Sequence, residues 1–250
     1  MPVLILLRHG QSEWNATNRF TGWYDCDLSL AGENEARAAG RQLGEAELVP
    51  DTAHTSVQTR AIRTTELVLE TLGRPDVPVR RDWRLNERHY GNLTGLDKAK
   101  VRKYYGEHQF RAWRRGYTTP PPPIDAANPH NPNGDPRYAE LPQGAIPLTE
   151  CLADVLARLL PYWQEAIVPD LAAGRVVLVS AHGNSLRALC KHLDRIDDDE
   201  ISELNIPTGI PLIYKLNDVF QPVDTRSVLE RALDPGSAQT AAEAVNRQTE

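Results

Sequence analysis

At 250 residues with 40% hydrophobic and 25% charged side chains, the chain is long enough to bury a sizeable core, and no linker divides it. A formal charge of −6 argues against a nucleic-acid or anionic-membrane surface, since both need a net basic face. Pro2 to Leu7 is too short for a signal-peptide core, no run approaches a membrane span, and Cys26, Cys151 and Cys190 lack disulfide-framework or zinc spacing, so a soluble cytoplasmic protein is expected.

Val3 to Leu7 is a continuous apolar run of the kind found in central parallel strands, and it stops at Arg8-His9-Gly10. Glu33 to Glu47 places Ala36, Ala39, Leu43 and Ala46 on one helical face, and Val57 to Leu72 does the same with Ala61, Thr65, Val68 and Leu72. The stretch TTPPPPIDAANPHNPNGDPRY is too rich in Pro, Asn and Gly to be regular and reads as a long surface excursion. Leu148 to Ala173 is helical in pattern but carries Pro161 and Pro169, which predicts a kinked or interrupted pair of helices. Val176 to Ser180 is a second buried strand, again ending near a His-Gly, at His182-Gly183. Asp197 to Leu204 predicts a short helix, Leu212 to Leu216 a strand, and the Ala-rich tail from Asp234 a mobile terminal helix. Strands alternating with helices predict a single-domain α/β fold with a mostly parallel central sheet flanked by helices, residues 1–233 forming its body and 234–250 its tail.

In open α/β sheets ligands bind beyond the carboxyl ends of the strands, where both His-Gly pairs fall if the two strands are parallel neighbours. That arrangement brings His9 and His182 together. A single His after a strand is more often structural; two in matching contexts, one beside Arg8, point to chemistry. An imidazole is a nucleophile only when its attacking nitrogen is unprotonated, so its other N–H needs an acceptor, and a tight turn offers the Gly10 carbonyl. Arg8, Ser12, Asn15, Thr21 and Gly22 supply a guanidinium fork, hydroxyls, an amide and approachable backbone, a set suited to a phosphoryl group.

With 23 arginines against 5 lysines, an isolated Arg carries little information. Arg60 opens a helix, where the dipole also favours an anion, though a solvated surface Arg is an equal reading. Arg114 and Arg115 in AWRRGY are either a clamp for a second anionic group or a plain charged helix face, and Lys98 in GLDKAK is the least distinctive. Glu87, in RLNERHYGNLTG, is either a proton shuttle or an ion-pair partner for a nearby Arg.

Taken together, RHGQSEWN, FTGWYD, TSVQTRAIRT, LNERHYGNLTGLDKAK, WRRG, DPRY, PLTECLADV, AHGNSLRAL and LNIPTGIPL appear in order. Over roughly residues 3 to 220 the chain resembles the cofactor-dependent (2,3-bisphosphoglycerate-dependent) phosphoglycerate mutases of the histidine phosphatase superfamily. The resemblance implies that His9 becomes a phosphohistidine and Glu87 donates and accepts the proton. It implies that Arg8, Ser12, Asn15, Arg60 and His182 hold the transferring phosphoryl, with Thr21, Gly22, Gly183 and Asn184 as neighbouring contacts. Tyr90, Lys98, Arg114 and Arg115 would bind the substrate carboxylate and distal phosphate.

The activity implied is interconversion of 3-phosphoglycerate and 2-phosphoglycerate, primed by 2,3-bisphosphoglycerate, in a homodimer or homotetramer. The rivals are a bisphosphoglycerate synthase or phosphatase on the same scaffold and a phospho-ligand-binding protein without catalysis. No metal is expected, because guanidiniums carry the charge and no H-E-x-x-H, Asp-rich loop or P-loop is present. Two departures stand out. Gln11 replaces a more usual Glu at a position expected to face away from the phosphate, and the tail beyond residue 222 carries no alignable motif.

Overall fold

The computed structural model describes residues 1–142 and 144–247. In chain order come β1 (Val3–Arg8), α1 (Glu13–Ala16), α2 (Leu30–Glu45), β2 (Thr52–Thr55), α3 (Thr59–Thr71), β3 (Val79–Arg81), α4 (Lys98–Tyr105) and α5 (Glu107–Arg115). They are followed by α6 (Leu152–Tyr162), α7 (Val168–Ala172), β4 (Val176–Ala181), α8 (Gly183–Asp194), β5 (Leu212–Lys215) and α9 (Pro235–Arg247). Among the described residues these strands form one sheet in the order β3-β2-β4-β1-β5. It is parallel except for β5, which runs antiparallel to β1, so the fold is the mostly parallel α/β sheet that the sequence predicts.

The apolar run of β1 is continuous because the strand is covered on both faces. Leu4 and Leu6 enter one core with Val177, Val179 and Tyr214, beside Leu159 of α6, Leu171 of α7 and Leu186 of α8. Ile5 and Leu7 enter the other, with Ala39 and Leu43 of α2 and Val68 of α3. Alternate residues of a strand point to opposite faces, so a doubly covered strand has no polar side to show. Where β1 ends, the chain meets the first turn of α2 at close quarters. A Cβ on Gly10 would lie 2.1 Å from the Gly32 carbonyl oxygen, and one on Gly32 would lie 2.0 Å from that of Gln11.

Several elements differ from expectation for identifiable reasons. α2 begins at Leu30 rather than Glu33, because Ser29 caps it, its Oγ accepting from the Gly32 N–H at 3.1 Å. The interruption expected around Pro161 and Pro169 takes the form of a π-helical turn, Trp163–Ile167, between α6 and α7. A widened turn makes room for the Pro169 ring and its missing N–H. The helix expected over Asp197 to Leu204 contracts to a 3₁₀ turn, Glu200–Ser202. Most of the Pro-rich excursion is irregular, closing in a 3₁₀ turn at Pro136–Tyr138. α9 begins one residue into the expected tail, and its Ala238 is buried in the same core as Tyr214; residues 248–250 lie outside those described. None of the described helices is long and apolar enough to cross a membrane.

Candidate active site

β1 and β4 are direct parallel neighbours with Arg8 opposite Ala181, and the His9 N–H donates to the Ala181 carbonyl at 2.9 Å. This register delivers both imidazoles to one edge of the sheet, ring centroids 4.9 Å apart and planes inclined at 64°. His9 Nδ1 lies 2.6 Å from the Gly10 carbonyl oxygen, so Nδ1 carries the proton and Nε2 keeps its lone pair. Burial, reinforced by the Arg60 and Arg8 charges, pushes the His9 pKa well below the usual 6.5. His182 is fully buried, with Nε2 2.7 Å from Ser56 Oγ, and burial followed by Arg60 and His9 drives its pKa down as well. Both rings are therefore neutral at neutral pH.

Glu87 is carried by a loop that Arg158 of α6 pins from behind. The Arg158 guanidinium pairs with Glu150 at 2.6 Å and donates to the backbone oxygens of Arg84, Asn86 and Glu87, while Glu150 accepts the His89 N–H. Gln58 ties this loop to the opposite wall, its Oε1 accepting from Glu87 N and its Nε2 donating to Gly22 O, each at 2.9 Å. Arg60 braces the same wall through the carbonyls of Gly22 and Tyr24. Gly22 adopts φ +58°, where a side chain is strained and a Cβ would come 3.1 Å from Tyr90 N. At the carboxylate, Oε1 accepts from Arg88 N at 2.7 Å, Asn184 N at 3.2 Å and Asn184 Nδ2 at 2.8 Å. Those three donors all fall on one oxygen, Oε1.

The cleft is lined by Arg8, Arg19, Arg60, Lys98, Arg114, Arg115 and Arg187, against a single lining carboxylate, Glu87. Cations gathered out of water repel one another and resist charging. Burial first, then Arg114 and Arg8, lowers Lys98 to about 7; burial and Arg114 lower Arg115 to about 8. Such a site is complete only with a polyanion in it. Among the described residues, no group of three or more His, Cys, Asp or Glu side chains is gathered for a metal ion.

Of the expected residues, Arg8, His9, Asn15, Thr21, Gly22, Arg60, Glu87, Tyr90, Lys98, Arg114, Arg115, Gly183 and Asn184 line this cleft. His182 stands behind His9 rather than on the cleft wall, and Ser12 is buried, its Oγ accepting from Asn15 N at 3.1 Å to cap α1. Gln11, expected to face away, does line the cleft, although its side-chain carbonyl accepts from Ser29 Oγ at 2.9 Å. Arg19, Arg187, Asn205, Ile206 and Thr208 also line it and were not singled out from the sequence. The one available signal was Arg187's position three residues after Asn184, on the same face of a helix.

The family model described as histidine phosphatase superfamily (branch 1) matches residues 4–130. The chain is 58% identical over 248 residues to the 2,3-bisphosphoglycerate-dependent phosphoglycerate mutase of Thermobifida fusca (strain YX), covering 99% of each. It is 54% identical to the protein of that name from Mycobacterium bovis (strain BCG / Pasteur 1173P2), over 97% of this chain and 95% of the other. Among solved structures, a mycobacterial glucosyl-3-phosphoglycerate phosphatase with VO3 superposes with a TM-score of 0.66 at 27% identity, over 86% of this chain and 93% of that one. With its histidine pair at the sheet edge and mutases alike over nearly its whole length, the chain belongs to the 2,3-bisphosphoglycerate-dependent phosphoglycerate mutase family of the histidine phosphatase superfamily.

Proposed function

We propose that the chain interconverts 3-phosphoglycerate and 2-phosphoglycerate by way of a phosphorylated His9. The observation that carries this reading is a neutral, buried imidazole with a free Nε2 sharing a cationic cleft with one carboxylate. Relatives at 54–58% identity bearing the mutase name support it. In the forward step a substrate hydroxyl attacks the phosphorus of phospho-His9, the P–N bond breaks, and the hydroxyl proton passes to Glu87 Oε2. In the return step His9 Nε2 attacks the other phosphoryl, the P–O bond breaks, and Glu87 returns the proton to the leaving oxygen. On this reading Arg8, Asn15 and Arg60 surround the transferring group, His182 backs His9 from behind the cleft wall, and Ser12, Thr21, Gly22, Gly183 and Asn184 lie around them. Tyr90, Lys98, Arg114 and Arg115 take the carboxylate and the distal phosphate.

2,3-Bisphosphoglycerate fits this site as the priming cofactor. Arg8 Nε, Arg60 Nε, Arg187 Nε and Thr21 Oγ1 are buried donors of cleft-lining residues without a protein acceptor, as an anion-binding wall requires. When bound, the cofactor supplies the phosphoryl group that charges His9. The same reading takes residues 1–233 as the catalytic unit and 234–250 as a tail, its first turns held to the core by Ala238. The test is a coupled assay on 3-phosphoglycerate. Activity is expected to decay without 2,3-bisphosphoglycerate, recover on its addition, and vanish in His9→Ala together with an acid-labile, alkali-stable label. Acid-stable label, or label persisting in His9→Ala, overturns the assignment.

A further inference from the structure

Asn184 holds Glu87, and something must hold Asn184. Its side-chain amide has two possible orientations, related by exchange of oxygen and nitrogen, and an isolated amide has no preference between them. In the structure Nδ2 donates to Glu87 Oε1 at 2.8 Å and to Tyr90 Oη at 3.0 Å, while Oδ1 accepts from Arg187 Nη1 at 2.9 Å. The reversed amide would set its oxygen against the carboxylate and its NH₂ against the guanidinium, leaving two buried repulsions. Arg187 can enforce this choice because it is itself fixed. Its Nη2 donates to the carbonyls of Ile201 at 2.6 Å and Arg115 at 3.1 Å, and its side chain is 3% exposed. Both terminal nitrogens thus have protein acceptors, and of the guanidinium donors Nε, buried without one, is left to face an anion in the cleft that Arg187 lines.

We infer that Arg187 is a positioning residue for proton transfer: it locks the Asn184 amide so that Glu87 Oε1 stays occupied by donors and Oε2 alone exchanges the proton. Arg187 acts through Asn184. The other charged or titratable groups facing Glu87 are Arg8 from β1, Tyr90 from its own loop and Lys98 from α4; Tyr90 touches the amide, but its hydroxyl can donate or accept and so fits either orientation.

The kinetic arm of the test rests on the mutase reading; the spectroscopic arm does not. In protein labelled with ¹⁵N-asparagine, with Asn184→Ala for assignment, the Asn184 NH₂ protons should exchange slowly in the wild type and rapidly in Arg187→Met. For turnover, Arg187→Met should lower kcat about tenfold, the factor set by losing one ordinary hydrogen bond, with KM for 3-phosphoglycerate changing less than about twofold. Its acid limb should move to higher pH, because an amide free to present oxygen opposes the ionised carboxylate. Arg187→Lys, which keeps a buried cation for folding, should restore part of the protection and of the limb. In an Asn184→Ala background the same Arg187 substitutions should move the limb markedly less, by only the direct charge interaction between Arg187 and Glu87. Equal effects in both backgrounds, or unchanged amide exchange in Arg187→Met, overturn the inference. A wild type with slow exchange but no mutase turnover would overturn the proposed function and leave Arg187's hold on the amide standing.

Discussion

On the proposed mechanism, His9 is kept reactive by what its neighbours withhold as much as by what they supply. The Gly10 carbonyl takes the Nδ1 proton, and burial beside Arg60 and Arg8 keeps a second proton off Nε2. A group whose pKa is depressed in the folded protein stays unprotonated until the pH falls through that lowered value. An imidazole titrating at 6.5 would lose about three-quarters of its nucleophilic form between pH 8 and 6. Single-turnover phosphorylation of His9, corrected for ionisation of the donor phosphate, is therefore expected to stay level over that range, and a fall tracking a value near 6.5 would refute the buried, neutral nucleophile. On the proposed mechanism Glu87 has the complementary task of moving a proton. Replacing it with Gln keeps size and hydrogen bonding but abolishes exchange, so kcat should fall about a hundredfold or more with a much smaller change in KM. A steep rise in KM at constant kcat would make it a binding group. His9 and the Gly10 carbonyl were legible in the sequence because two strands end near a His-Gly in matching contexts, one beside Arg8, whereas the residues around Glu87 left it open between proton shuttle and ion-pair partner, and only the family resemblance chose. Arg187 was not legible, since one arginine among 23 declares its role only through the partners that the fold brings to it.

At the scale of elements, legibility followed apolar pattern. β1 and β4 announced themselves as unbroken apolar runs, and α2 and α3 as periodic faces, whereas β2 and β3 passed unnoticed. β2 reads TAHT, and its central His54 is a core residue only because Tyr162 Oη lies 2.8 Å from Nδ1 and Asp170 lies 3.0 Å from Nε2. Those partners are more than a hundred residues away in sequence. β3 is a three-residue exposed edge, VRR, with no periodicity to detect. The seam between β1 and α2 was equally silent, although the site depends on it, since Gly10 and Gly32 allow the helix to sit against the very turn that carries His9. Adding one methyl at Gly32 would force the Gln11 carbonyl aside, because the contact is with backbone rather than with a movable side chain. Gly32→Ala should cost about 3 kcal/mol, as severe overpacking does, and slow His9 phosphorylation in whatever fraction folds. Urea unfolding with a midpoint like the wild type's would show that the seam has slack the structure does not display.

Over the whole molecule, charge is distributed against its own average. The chain carries −6 overall, yet one cleft collects seven cationic side chains, so anionic substrates meet a focused positive field in an otherwise repelling surface. Holding those cations together in the empty cleft has a thermodynamic signature. Lys98 titrates at about 7 instead of 10.5, mainly through burial and then through Arg114 and Arg8. Because its folded value is depressed, the unfolded chain binds the extra proton first as pH falls from 10.5 towards 7, and the anion-free protein loses stability across that window. A bound polyanion reverses the imbalance by offering Lys98 a partner, so its proton affinity rises and a proton is taken up with the ligand. Titration calorimetry of 2,3-bisphosphoglycerate at pH 7.5, in two buffers of different ionisation enthalpy, should show net proton uptake that Lys98→Met largely abolishes. The same ligand at a hundred times its Kd should raise unfolding stability by about 2.7 kcal/mol. Since arginines and Lys98 carry the neutralising charge, that gain and the turnover should both survive exhaustive chelation. Binding heats that do not depend on the buffer would mean that Lys98 is already charged in the free cleft, and that the positive cluster is far better solvated than its burial implies.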